Sequence, residues 1–286
     1  MSSLTLASAT PEPLRLPAPA RLRGRWREVA TGLAVAFLLL LTLFGPVVGP
    51  YPPDAVDVTQ RMQPPSSAHL MGTDPLGRDL FSRVLAGARV SLPSVLVIVV
   101  SAVLVGVVLG ALAGYLGGIV DDVIMRLTDI FLAFPALVLA LAIAGALGPD
   151  LTTAMLAVSI VWWPWYARLT RGQVIARKQE LYVEAARAAG CTDGVILRRH
   201  VLPNSWTPIV VQSTLDMGAA LITTASLGYI GMGAQPPSAE WGAMLSQARD
   251  YFLNAWWLTF FPGLAIFLSV LIFTAAGELL REHTTR

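Results

Sequence analysis

The chain has 286 residues, of which 55% are hydrophobic and only 13% charged, and its formal net charge is +2. So apolar a composition excludes an ordinary soluble domain, and a small charge whose basic residues are sorted by loop argues against nucleic acid as a partner. A single cysteine, Cys191, excludes an internal disulfide framework and any multi-cysteine metal site. The hydrophobic residues come in long blocks separated by short charged stretches, the pattern of membrane spans and not of a soluble core.

Residues 1–28 read as a disordered cytoplasmic tail, because Pro11, Pro13, Pro17 and Pro19 lie among small residues with little to bury. Arg21, Arg23, Arg25 and Arg27 then precede an apolar stretch over residues 29–48. That stretch ends in Phe-Gly-Pro-Val-Val-Gly-Pro with no Ala-x-Ala cleavage pattern, so it reads as an uncleaved anchor. A spanning helix needs about 20 mostly apolar residues to cross roughly 30 Å of hydrocarbon. Six stretches qualify, over residues 29–48, 93–116, 127–147, 151–169, 208–230 and 256–280. The expected fold class is therefore all-α, a polytopic membrane protein with six transmembrane helices in the lipid bilayer.

Between the first two spans, residues 49–92 form an extracytoplasmic loop. Turns around Gly72, Pro75 and Gly77 are predicted to lead into an amphipathic helix over residues 78–91 at the membrane surface. Asp74, Arg78, Asp79 and Arg83 can pair among themselves there, or take part in recognising an outer binding protein. Residues 93–281 then form a core of five spans containing a cytoplasmic loop over residues 171–205, and residues 282–286 are the cytoplasmic C-terminus. Gly106, Gly110, Gly114 and Gly118 recur every fourth residue along one side of the second span, a surface for close helix contact within the chain or with another subunit.

With the N-terminus inside, fifteen basic residues fall on the cytoplasmic side and five, Arg61, Arg78, Arg83, Arg89 and Arg249, outside. That asymmetry predicts a plasma membrane protein with both termini cytoplasmic. Trp26, Trp163, Trp165 and Trp206 fall near inner span ends, and Trp241, Trp256 and Trp257 near outer ones, as interfacial belts require. Asp216 lies well inside the fifth span, where an ionisable group must face protein or water. It is a candidate for the translocation path or for a buried hydrogen bond. Asp121, Asp122, Asp129 and Glu278 sit nearer span ends.

The cytoplasmic loop carries the most informative stretch, Glu180-Leu-Tyr-Val-Glu-Ala-Ala-Arg-Ala-Ala-Gly190 followed by Cys191 to Asn204. It reads as helix, turn and helix. Alanine and glutamate favour the first helix, Gly190 suits the left-handed position past its end, Thr192 or Asp193 caps the second, and Pro203 stops it. Glu184-Ala185-Ala186, Gly190 and Leu202-Pro203 at these spacings resemble the cytoplasmic loop of bacterial ABC import permeases. His200 stands where many such permeases have isoleucine, and Arg-His-Val-Leu-Pro-Asn is similar to the dipeptide, oligopeptide and nickel group. The stretches from Gly72 to Leu92, Gly231 to Leu245 and Phe261 to Ile266 resemble the C-type permease of that group, with Thr224 and Thr274 standing where relatives often carry glutamate and asparagine.

The resemblance implies the type I permease fold of ABC importers and a non-catalytic transport subunit. It implies a heterodimer with a second homologous permease, one or two ABC ATPase subunits and an extracytoplasmic solute-binding protein. It also implies that the loop carrying Glu184, Ala185, Ala186, Gly190, His200, Leu202 and Pro203 couples to the ATPase. No cofactor or metal is expected on this chain, with ATP and magnesium bound in the ATPase partners. The single lysine, Lys178, is followed by glutamine, so the chain has no phosphate-binding Gly-Lys-Ser/Thr loop. It also lacks His-Glu-x-x-His and Gly-x-Ser-x-Gly, which removes the hydrolase signatures. Di- or oligopeptides are the expected cargo, with nickel import or an ATP-independent secondary transporter as alternatives.

Overall fold

A computed structural model describes residues 20–284. Ten α-helices are present among them: α1 (Ala20–Val48), α2 (Leu80–Leu116), α3 (Gly118–Leu132), α4 (Ala136–Leu147), α5 (Leu151–Lys178), α6 (Leu181–Ala188), α7 (Asp193–Ile196), α8 (Leu202–Ile230), α9 (Trp241–Ala248) and α10 (Trp257–Thr284). No β-strand occurs among the described residues, only an isolated bridge between Thr73 and Asp79. The expected tail lies outside the described residues up to residue 19, and the backbone is already helical from Ala20.

Three helices are long and apolar enough to cross a membrane: Trp26–Val48, Leu80–Leu116 and Trp257–Thr284. The expected third span is a broken one, in which α3 and α4 meet at 89° and pass the same test only together. Pro135 at the N-cap of α4 explains the break, because the ring disfavours helical backbone in the residue before it. The expected fourth and fifth spans correspond to α5 and α8. With 28 and 29 residues both are long enough, but Arg168 and Arg171 on one and Gln212 and Asp216 on the other lower their hydropathy. Composition alone thus identifies four of the six expected crossings. The first part of α1 meets the end of α10, with Arg27 Nη1 donating to Glu282 Oε1 at 3.1 Å and His283 Nε2 lying 3.3 Å from Glu28 Oε1. With these two helix ends on one side, the described residues between them make an even number of crossings, as six would give.

The glycine stripe packs within the chain. A Cβ on Gly106, Gly110 or Gly114 would meet α5, at 2.7 Å from the Trp163 carbonyl oxygen, 2.9 Å from Thr170 Cβ and 2.8 Å from the Arg171 carbonyl oxygen respectively. Gly118 departs from the stripe, since its φ of +53° belongs to the turn between α2 and α3.

Of the segment expected to be a surface helix over residues 78–91, residues 80–91 are instead the first part of α2, which continues through Pro93 without a break, and Asp79 is its N-cap. Arg78, Asp79, Ser82, Arg83 and Ser91 are buried because two loops fold over them at one end of the bundle, while Arg89 is exposed. Arg78 Nε donates to Asp74 Oδ2 at 2.6 Å, and Arg83 Nη1 donates to Asp54 Oδ1 at 2.9 Å and to the Pro53 carbonyl. Asp79 caps α2 through the Ser82 N–H and lies 2.9 Å from His69 Nδ1. Glu240 caps α9 by accepting from the N–H groups of Gly242 and Ala243, and Ser91 Oγ donates to Oε1, the oxygen that also takes the Gly242 N–H. Burial pushes the Glu240 carboxyl up, against the opposing pull of those hydrogen bonds.

Two tryptophans expected in an interfacial belt belong to this buried cap. Trp241 is fully buried with Nε1 donating to the Val84 carbonyl at 2.9 Å, and Trp257 Nε1 donates to the Thr73 carbonyl. Position near a span end does not separate a belt residue from one covered by a folded loop. Trp256 and Trp26, by contrast, are exposed.

Candidate functional site

The loop between α5 and α8 lies at the end of the bundle opposite the buried cap, and it rests on a small apolar pedestal. Ala111 and Tyr115 of α2, Val174 of α5, Val183 of α6, Ile196 of α7 and Val201 form one buried cluster, with Ala186, Cys191, Leu197 and Leu202 packed against it. Val183 is the one residue of α6 that is fully buried. Apart from Ala186, which packs inward, the helix faces outward, with Leu181 80% exposed and Glu184, Ala185 and Ala188 exposed, as is Ala189 just past its end. Alanine side chains leave the backbone thinly covered, so this face offers close approach to another surface.

Gly190 ends α6 in the left-handed conformation, at φ +83°. The Gly190 N–H donates to the Arg187 carbonyl at 3.0 Å and the Cys191 N–H to the Ala186 carbonyl at 3.1 Å. These paired bonds satisfy carbonyls that the helix leaves unpartnered, and Cys191 and Ala186 supply the apolar contact that accompanies them. Thr192 occupies the next N-cap position without a side-chain hydrogen bond there. Asp193 accepts a 2.7 Å hydrogen bond from Tyr115 Oη, tying the loop to α2. Lys178 Nζ donates to the Tyr115 carbonyl at 2.6 Å and sits 5.1 Å from the centre of its ring, which adds α5 to the same joint.

Pro203 does not stop the second helix. It sits in the first turn of α8, and the chain runs from α7 through a five-residue π-helical segment, Leu197–Val201, straight into the span. His200 lies half-buried in that segment and its carbonyl accepts from Asn204 Nδ2. Leu202 is half-buried beneath the loop and Pro203 is exposed. All seven residues singled out in this loop therefore fall on one hairpin and its junction with α8. Sequence reasoning missed Tyr115, Lys178 and Val183, whose roles depend on contacts between distant segments.

Asp216 stands apart, in a cleft of about 710 Å³ lined by Ala136, Trp162, Trp165, Tyr166, Arg168, Leu169, Gln212 and Ala219. Tyr166 Oη donates to one carboxylate oxygen at 2.7 Å and Gln212 Nε2 to the other at 2.8 Å. Arg168 is paired with Asp129, and Arg171 donates twice to Asp121 at 2.5 and 2.6 Å. Asp216 is half-buried and hydrogen-bonded, and it also faces open space. Trp165, expected in the interfacial belt, is 62% exposed on the wall of this cleft.

This arrangement of helices agrees with comparisons to known proteins. Residues 106–286 match the family described as binding-protein-dependent transport system inner membrane component. The chain belongs to that family. A permease assigned to D,D-dipeptide transport in Escherichia coli K12 is 46% identical over 91% of this chain and 88% of its own length. The dipeptide transport permease of Alkalihalophilus pseudofirmus is 41% identical over 87% of this chain and 82% of its own length. A glutathione transport permease of Pectobacterium atrosepticum is 42% identical over 91% and 90%. Among solved structures, the MetNI methionine ABC transporter in an inward-facing conformation aligns with a TM-score of 0.57 and 20% identity, over 70% of this chain and 95% of that one. The fold is that of an ABC importer permease, and the chain is an inner-membrane transport subunit.

Proposed function

We propose that this permease carries peptides across the membrane and is driven by ATP hydrolysed in separate subunits that dock on α6. The exposed alanine face of α6 on its apolar pedestal carries this reading. A surface that is open above and rigidly seated below can receive a push and hand it to the bundle. The push would travel through Val183 and Tyr115 into α2 and, through the uninterrupted α7 to α8 connection, into the span that holds Asp216.

Partners in this reading are a second homologous permease, one or two ATPase subunits holding ATP and magnesium, and an extracytoplasmic binding protein. Both termini face the cytoplasm, following the basic-residue asymmetry. The peptide assignment is supported by relatives named for D,D-dipeptide, dipeptide and glutathione transport. These names favour peptides over nickel.

The docking role is tested with Ala185→Asp. Ala185 is exposed, whereas Ala186 packs against the pedestal, so a change at Ala186 would mix docking with folding. In cells carrying the complete transporter, Ala185→Asp is expected to cut peptide uptake at least about tenfold, the effect of losing about 1.4 kcal/mol of docking energy, with unchanged membrane content. Uptake at the normal rate would remove α6 from the coupling path.

A further inference from the structure

Asp216 lies at the middle of α8, equidistant from Leu202 and Ile230, at a depth where an ionised carboxylate requires a compensating cation or water. Its two hydrogen-bond donors, Tyr166 and Gln212, are neutral. The ion pairs nearby leave it out, because Arg168 is engaged by Asp129 and Arg171 by Asp121. Arg168 lines the cleft as well, but its charge is matched by Asp129, which leaves Asp216 as the charge there with no ion-pair partner. A carboxylate has about four acceptor positions, and two are filled, so two remain for an incoming donor. Trp162 and Trp165 line the same space and attract cations through their ring faces. A metal ion is a poor match, since no group of three or more His, Cys, Asp or Glu gathers among the described residues. An organic ammonium needs only what the cleft has: one carboxylate, aromatic walls and room.

We infer that this cleft is a subsite on the translocation path for the α-ammonium group of a peptide, with Asp216 accepting its N–H bonds. Tyr166 is a positioning residue that fixes the carboxylate. Ala219 on the same face of α8 lines the cleft, one turn from Asp216, and leaves room there because its side chain is only a methyl. The inference rests on the peptide reading above and adds which end of the peptide is held. Two neutral donors and a single charge give a grip that can be released, as transport requires.

The test uses the complete transporter in membrane vesicles, with Cys191→Ser and Ala219→Cys in this chain. Labelling of the new thiol is timed with a cationic and an anionic methanethiosulfonate reagent, each corrected for its rate with a free thiol. The cationic reagent is expected to be at least about tenfold faster, the size of local concentration a charged cleft produces. Adding Asp216→Asn should erase that preference, and dialanine should slow labelling while N-acetyl-dialanine does not. Equal rates for the two reagents overturn the subsite, as does absence of labelling by either, which would mean that a second subunit seals the cleft. Uptake of dialanine by the transporter without these substitutions is measured in parallel. Uptake with equal reagent rates refutes the subsite alone, whereas a charge preference with neither uptake nor protection refutes the peptide reading and the ammonium assignment with it.

Discussion

Gly106, Gly110 and Gly114 let the backbones of α2 and α5 touch, and each is a position where one added methyl collides with backbone or Cβ atoms that have no rotamer to escape into. Gly106→Val is expected to destabilise the bundle by about 1–3 kcal/mol, the usual cost of overpacking a close contact. Thermal unfolding in detergent would register this as a lowered midpoint, with Gly145→Ala as comparison, because nothing lies within 4 Å of a Cβ there. An unchanged midpoint for Gly106→Val would mean that α2 and α5 separate freely. Thr224 and Thr274 illustrate the opposite outcome of local reading. Their hydroxyls donate to the carbonyls of Ala220 and Val270 on their own helices, which satisfies them without any ligand.

At the scale of elements, the joint between α2, α5 and the α6–α7 hairpin is held by an apolar cluster and by the Tyr115 to Asp193 hydrogen bond. Removing the hydroxyl with Tyr115→Phe keeps the ring in the cluster and deletes the tie, for a net cost of about 1 kcal/mol. The expected result is looser coupling, in which ATP hydrolysis by the reconstituted transporter persists while peptide moved per ATP falls severalfold. A wild-type ratio would show that the apolar pedestal alone transmits the motion. The hairpin was legible in sequence because Glu184, Ala185, Ala186 and Gly190 encode a short helix and its left-handed end. Its continuity into α8 was not, because Pro203 reads as a stop until its place in the first turn of the next helix is known.

For the whole molecule, the cleft at Asp216 is lined by α4, α5 and α8 and remains open on its remaining side. An open cleft that holds Asp216 and Gln212 at the depth of the bilayer calls for a neighbouring subunit or an aqueous path, since lipid solvates neither side chain. Crosslinking in the native membrane followed by detergent extraction and mass spectrometry is expected to recover a second permease and ATPases with this chain. Recovery of the chain alone, with no ATP hydrolysis, would return the secondary-transporter reading. The charges between residues 49 and 83 act at this scale too. Asp74 and Arg78 pair as their spacing suggested, but Arg83 also finds Asp54 and the Pro237 and Ser238 carbonyls, partners that no local pattern announces.

The sequence by itself determined the elements whose signal is local. Long apolar runs define spans because hydrocarbon thickness fixes their length, glycine spacing defines a contact face because the helix repeat fixes its direction, and Gly190 defines a helix end because its backbone conformation is costly for other residues. Only the tertiary structure decided which face the glycines meet, that Trp241 and Trp257 are buried under folded loops, and that Tyr166, Gln212 and Asp216 share one cleft. Those outcomes depend on pairing between segments far apart in the chain, and such pairing is set by the joint packing of the whole bundle.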